Sequence, residues 1–228
     1  LPISGPSPVD PKFDCFANQD ESALDFVDCR CEVGALTDVV NDIVNTEKVN
    51  MVVMGMSQGK NPKPYRLGSH SQDMIDEAVC PVLLIPAGTS FHKLKKIAFA
   101  TDLNASDIHV IHSLVSLVRY FNAEILLVHV TEEDAAQKAY QHRVDEFLND
   151  VTCKINYPHI YYRHITASKI EEGLNWLSTH GMIDMLAMVH RNSSSYQNLF
   201  HGSHTVKMVN HTDVPLLVFP SNHPQVVF

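Results

Sequence analysis

The chain has 228 residues, 45% hydrophobic and 19% charged, with a formal net charge of −9. That composition excludes the disordered and fibrous classes, and the acidic balance leaves no basic footprint for nucleic acid or an anionic membrane surface. Apolar runs such as Val82 to Ile85 fall far short of the roughly 20 residues a membrane helix needs, so no membrane span is expected.

The opening LPISGPSPVDP is Pro-rich and does not read as a signal peptide. A strand-like run follows around ALDFVDCRCEV, with Cys29 and Cys31 on one face and so badly placed for a mutual disulfide. The five cysteines lack metal-ligand spacing and read as buried, reduced thiols of a cytoplasmic protein. Leu36, Val40 and Ile43 then mark an amphipathic helix. MVVMG at 51–55 is a strand, MGMSQGKNPKPYRLGS at 54–69 a glycine-bearing loop, GSHS the start of a helix, and PVLLIP at 81–86 an apolar strand.

From residue 95 the alternation is regular. KKIAFAT is a strand, and the next helix has Ser106 as its expected N-cap. EILLVHV is a strand, followed by a long polar helix over about 132–153. HIYYRHIT is a strand, SKIEEGLNWLSTH a helix ended by Gly181, and DMLAMVH a strand. GSHTVKMVNHT is the last helix and VPLLVFP the last strand. Alternating strands and helices, several strands being apolar throughout, predict a doubly wound parallel α/β sheet covered on both faces.

The chain also repeats itself. Met51 answers Met185, Gly68 answers Gly202 and Pro81 answers Pro215, a common offset of 134 positions. The same offset carries Leu36, Val40 and Ile43 onto Ile170, Leu174 and Leu177. Two domains are therefore expected, residues 1–90 and 91–228. The first-copy counterparts of the 95–130 strand–helix–strand would fall before Leu1. The natural protein is accordingly expected to hold about 40 more N-terminal residues supplying two central strands, as the size of such domains suggests.

FATDLN with Asp102, the two loops MGMSQGKNPKPYRLGS and MVHRNSSSYQNLFHGS, and the PVLLIP and PLLVFP strands resemble the universal stress protein family in a tandem form. The resemblance implies a five-stranded parallel sheet of the adenine nucleotide alpha hydrolase-like type, repeated as an internal pseudo-dimer. It implies contact through the last strands, Val82 to Ile85 and Leu216 to Phe219, with self-association there. It also implies a site for ATP or another adenine nucleotide at Met54, Gly55, Gly59, Gly68, Ser69, Thr101, Asp102, Val130, Gly202 and Ser203. Glycines let backbone N–H groups approach phosphate, and a helix N-terminus adds free donors. Asp102 would accept hydrogen bonds from base or ribose.

The loops depart from the family pattern. Gly55 to Gly68 keeps the 13-residue span, but Gln58 stands where the middle glycine belongs and Gly59 comes one residue late. In the second copy the first two glycine positions are Val189 and Asn192, leaving Gly202-Ser203. Other chemistries fit worse. Gly59-Lys60 is not a P-loop, because three residues rather than four separate its glycines and Asn61 follows the Lys. No G-x-G-x-x-G follows a strand, and no G-x-S-x-G appears. His190, His201, His204 and His211 cluster without a carboxylate companion and read as solvated or capping residues. The expected function is a non-enzymatic stress-response protein with a nucleotide or anion site. A weak ATPase or nucleotide-dependent switch and a structural interaction module without a ligand are the alternatives. No catalytic or metal-ligating residue is expected.

Overall fold

The computed structural model describes residues 28–56, 69–90, 93–132, 137–191, 212–221 and 228. By contacts the chain divides into Leu1–Val33 and Gly34–Phe228. In the first unit, residues 28–33 are exposed and form neither helix nor strand, with Arg30 Nε 2.8 Å from Asp28 Oδ2. The strand expected through Cys29 and Cys31 is thus absent there. Its repeat counterpart, the strand at 160–167, gains its order by pairing with a neighbour, and the first copy offers no such neighbour among the described residues. Among the described cysteines, burial of the thiol holds for Cys80 only; Cys29, Cys31 and Cys153 are exposed and free.

The second unit runs α1 (Leu36–Glu47), β1 (Val52–Met56), α2 (Ser69–Glu77), β2 (Val82–Pro86), β3 (Lys96–Ala100), α3 (Asp107–Arg119), β4 (Glu124–Glu132), α4 (Gln137–Lys154), β5 (Ile160–Ala167), α5 (Ile170–His180), β6 (Met185–His190) and β7 (Leu216–Pro220). The seven strands form one sheet in the order β1-β2-β7-β6-β3-β4-β5. From β7 to β5 every pairing is parallel, which gives the second copy the five-stranded doubly wound sheet. β1 and β2 are also parallel, while β2 meets β7 antiparallel, Leu83 opposite Leu217 and Leu84 opposite Leu216. These are the last strands of the two copies, the segments for which the family resemblance implies contact. The turn leaving β2 places Gly88 at φ 80, a left-handed conformation that costs glycine nothing.

Two cores cover the sheet faces. Ile97, Phe99, Ile125 and Leu127 point with Ile111, Leu114, Phe147 and Val151 into one. Ala98, Ala100, Val128 and Val130 point with Met74, Leu174 and Leu177 into the other. This period-two switch of Ile97 and Phe99 against Ala98 and Ala100 is what a strand buried on both faces requires. Each large side chain so buried contributes about 1.5–3 kcal/mol.

The two copies of the amphipathic helix differ. Ile170, Leu174 and Leu177 are all buried, whereas Leu36 is exposed and Val40 only partly buried, because α1 has less sheet beneath it. Two local expectations are also refined. Ser106 does stand at the N-cap position of α3, but it makes no side-chain cap bond: its backbone is helical, and its N–H and hydroxyl both donate to Asn104 Oδ1 at 3.0 and 2.8 Å. The long polar helix does not begin at 132, because β4 runs through Glu132; its described span is Gln137–Lys154. Gly181 does end α5, through a 2.7 Å bond from its N–H to Leu177 O. It does so by close approach, since a Cβ there would lie 2.3 Å from that carbonyl, while the left-handed residue is Met182.

Candidate functional site

The strand ends of an open α/β sheet are where ligands bind, at the point where strand order reverses. In the second copy that point lies between β3 and β6. β3 runs directly into Thr101 and Asp102, and β6 into Arg191. Thr101 is fully buried and Asp102 is 4% exposed.

The Thr101 hydroxyl donates to Asp107 Oδ2 at 2.6 Å and accepts the Leu103 N–H at 2.9 Å. Asp102 Oδ1 accepts the Asn104 N–H at 3.2 Å. These bonds hold Leu103 at φ 62, a conformation that costs a residue with a Cβ about 1–3 kcal/mol. Into the loop reaches the guanidinium of Arg191. Its Nη1 lies 3.2 Å from Asp102 Oδ1, and its Nη2 donates to Asp107 Oδ1 and, at 3.4 Å, to Ser106 Oγ. A planar fork with five donors suits two carboxylates at once, which a lysine would not match.

Two buried carboxylates share one guanidinium. Burial pushes the Asp107 carboxyl up to about 6; Arg191 pulls it down, the Asp102 charge pushes it up again, and the Thr101 hydroxyl pulls it down. Desolvation wins over the ion pair because Asp107 has no exposed surface.

A second layer adjoins the cluster on the α4 side. The Thr101 carbonyl accepts a 2.7 Å hydrogen bond from His129 Nδ1, which fixes the proton of the neutral ring on that nitrogen. Arg143 Nη2 donates to the Asp102 carbonyl at 3.0 Å. Tyr140 lies between two imidazoles, 5.0 Å from the His129 ring and 4.8 Å from that of His164, and its hydroxyl meets Tyr162 OH at 2.8 Å. Burial pushes both histidines below their ordinary value. Beside Leu103 and Arg143, a cleft of about 460 Å³ opens between the loop and α4.

Of the expected site residues, the structure brings Thr101 and Asp102 into one hydrogen-bonded cluster. Val130 lies on β4, the strand paired with β3, with its side chain wholly buried in the core beneath α5. Met54 and Gly55 lie on β1, which β2, β7 and β6 separate from β3. The first glycine loop and Asp102 therefore belong to different places in the sheet. Ser69 is the first residue of α2. Gly59, Gly68, Gly202 and Ser203 lie outside the described residues, as do His201, His204 and His211. Val189, at the repeat position of Gly55, is a core residue with 5% exposure.

Asp107, Arg191, His129 and Tyr140 were not among the expected site residues. The available signal was the abrupt change in MVHRNSSS, where the apolar run Met185 to Val189 is followed by His190 and the cation Arg191. Among the described residues no helix is long and apolar enough to cross a membrane. His190 Nε2 lies 3.0 Å from Asp76 Oδ1, outside hydrogen-bonding direction.

A five-stranded parallel sheet with its open crevice at β3 and β6, extended by β1 and β2 through an antiparallel seam, defines a doubly wound α/β fold. Residues 17–86 match the model of the universal stress protein family. Among solved structures, a universal stress protein from Archaeoglobus fulgidus DSM 4304 is 18% identical, with 81% of this chain and 67% of that one covered and a TM-score of 0.61. A functionally unknown protein from Pseudomonas aeruginosa PAO1 is 12% identical, with 85% and 69% covered and a TM-score of 0.62. At these identities the likeness is one of fold. No curated protein matches the chain.

Proposed function

We propose that the chain is a non-enzymatic stress-response protein of the universal stress type, acting through binding and conformational change, in which the strand-end site of the 91–228 copy is closed by the chain itself. The supporting observation is Arg191. It comes from the loop whose glycines would otherwise approach a phosphate, and it occupies the carboxylate of Asp102 that would otherwise receive a base or ribose. Val189 fills the place of the first loop glycine. Neither loop carries a carboxylate to orient water or hold a metal at a phosphate, which argues against the ATPase alternative.

An adenine nucleotide or anion is proposed only for the 1–90 copy. Gly55 is exposed and an added Cβ would meet nothing within 4 Å, so packing does not demand glycine there and close approach of a ligand would. Association of the two copies is proposed to be internal, through β2 and β7, which pair with each other and keep no free edge for a second chain.

Thermal unfolding with ATP, AMP and phosphate tests the reading. Any stabilisation is expected to survive Asp102→Asn, with no release of phosphate from ATP over hours. Stabilisation lost in Asp102→Asn, or steady phosphate release, would contradict it.

A further inference from the structure

β5 is the last strand of the sheet, and its outer edge is open among the described residues. Ile125 N–H donates to His159 O at 2.9 Å. In a parallel ladder this turns the backbone groups of odd-numbered β5 residues toward β4, and those of Tyr162, His164 and Thr166 outward. Proteins blunt such edges with charges, prolines or bulges. Over its eight residues β5 carries one permanent charge, Arg163, and no proline.

Along this edge, on the α5 side, runs a groove of about 600 Å³ lined by Arg163, Ile165, Ala167, Ser168, Glu172 and Trp176. α5 sits close to the sheet because Gly173 has no side chain; a Cβ there would come within 2.6 Å of Val130 Cγ1. Trp176 is thereby held beside β5, 47% exposed and stacked on His180, and Tyr161 on the same strand face is 48% exposed. Glu172 is occupied by the Ser168 hydroxyl. Arg163 has no ion-pair partner among the described residues, in a chain whose net charge is −9.

We propose that this edge and groove dock an extended acidic segment of a partner protein. The segment adds to β5 as a further strand, sets a carboxylate against Arg163 and lays an apolar side chain against Ile165 and Trp176. Main-chain bonds supply affinity in this mode and alternate side chains supply specificity. The charge argues for an acidic partner and against a second copy pairing through β5, since that strand holds no carboxylate to meet Arg163. The site lies at the far end of the sheet from β1 and does not depend on whether any nucleotide binds.

Trp176 is the only Trp in the chain, so its emission reports on the groove directly. The full chain is titrated with a capped eight-residue peptide of alternating Val and Thr with one central Glu, and with the same peptide carrying Lys instead. We expect a saturable emission change with the Glu peptide and about tenfold weaker binding of the Lys peptide, the order of a charge-assisted hydrogen bond. Arg163→Glu is expected to reverse that preference with the far-UV spectrum unchanged, and Thr166→Pro, which removes an outward N–H, to weaken both peptides. No saturable change with either peptide, equal binding of the two, or an unchanged order in Arg163→Glu overturns the proposal. So does concentration-dependent self-association that Arg163→Glu abolishes, which would assign the edge to a second copy.

Discussion

Arg191 Nη1, just beyond β6, lies 3.2 Å from Oδ1 of Asp102, just beyond β3, and the contact spans the crevice between the two strands. An aspartate that the family resemblance assigns to a ligand is bound instead to a side chain of the same fold. Arg191 also reaches Asp107, so one cation neutralises part of the charge of two buried acids.

Removing that cation leaves both carboxylates buried without compensation. Arg191→Met is expected to cost about 3–5 kcal/mol, the range for breaking a buried pair from one side. Denaturant unfolding measures this, and Asp107→Asn in the same background is expected to recover part of the loss.

The pH dependence of stability carries the signature of Asp107. Its folded pKa of about 6 stands above its ordinary value of 3.8, so the folded state binds the proton more tightly than the unfolded chain. The stability it contributes is full below about pH 4 and is lost as pH rises through about 6. Asp107→Asn is expected to flatten this fall, read as the denaturation midpoint against pH between 4 and 7.

Gly173 is a packing glycine. Gly173→Ala places a methyl within 2.6 Å of Val130 Cγ1 and is expected to cost about 1–3 kcal/mol through overpacking. Val130→Ala in the same molecule is expected to remove most of that penalty, giving a double-mutant coupling of opposite sign to the single effect.

The antiparallel seam is expected to hold the two repeat copies together. Leu84 and Leu216 face each other across it and neither is exposed. Leu84→Ala and Leu216→Ala are each expected to cost about 2–5 kcal/mol. As neighbours sharing one cavity, the pair should fall short of additivity in urea unfolding.

The repeat and the strands of the second copy were legible because they rest on backbone periodicity, which an apolar run such as KIAFA or MLAMVH records directly. The seam was legible only through the family resemblance, since nothing in PVLLIP or PLLVFP states that the two run antiparallel. The Cys29–Cys31 segment was misread for a physical reason. It has strand-like alternation, but a strand also needs a neighbour, and alternation does not report whether one is present. Ser106 stands at the expected N-cap position without making the cap bond, because the Asn104 side chain two residues earlier accepts both its N–H and its hydroxyl proton. Arg191 was not foreseen because its role depends on the juxtaposition of β6 and β3, 89 positions apart at Asp102, and no local pattern encodes that distance. Thr101 and Asp102 stand together at the end of β3 as neighbours in sequence must, and what surrounds them there was not legible.

The closure of the second strand-end site is tested most directly by amide NMR of the full chain during titration with ATP. The N–H groups of Leu103 and Asn104 are bound by the side chains of Thr101 and Asp102 and report on that site alone. Their resonances are predicted to stay in place at millimolar ATP, whatever happens at residues of the first glycine loop. A saturable shift of both, in step with ATP, would show that Arg191 yields the site to a nucleotide and would contradict the account.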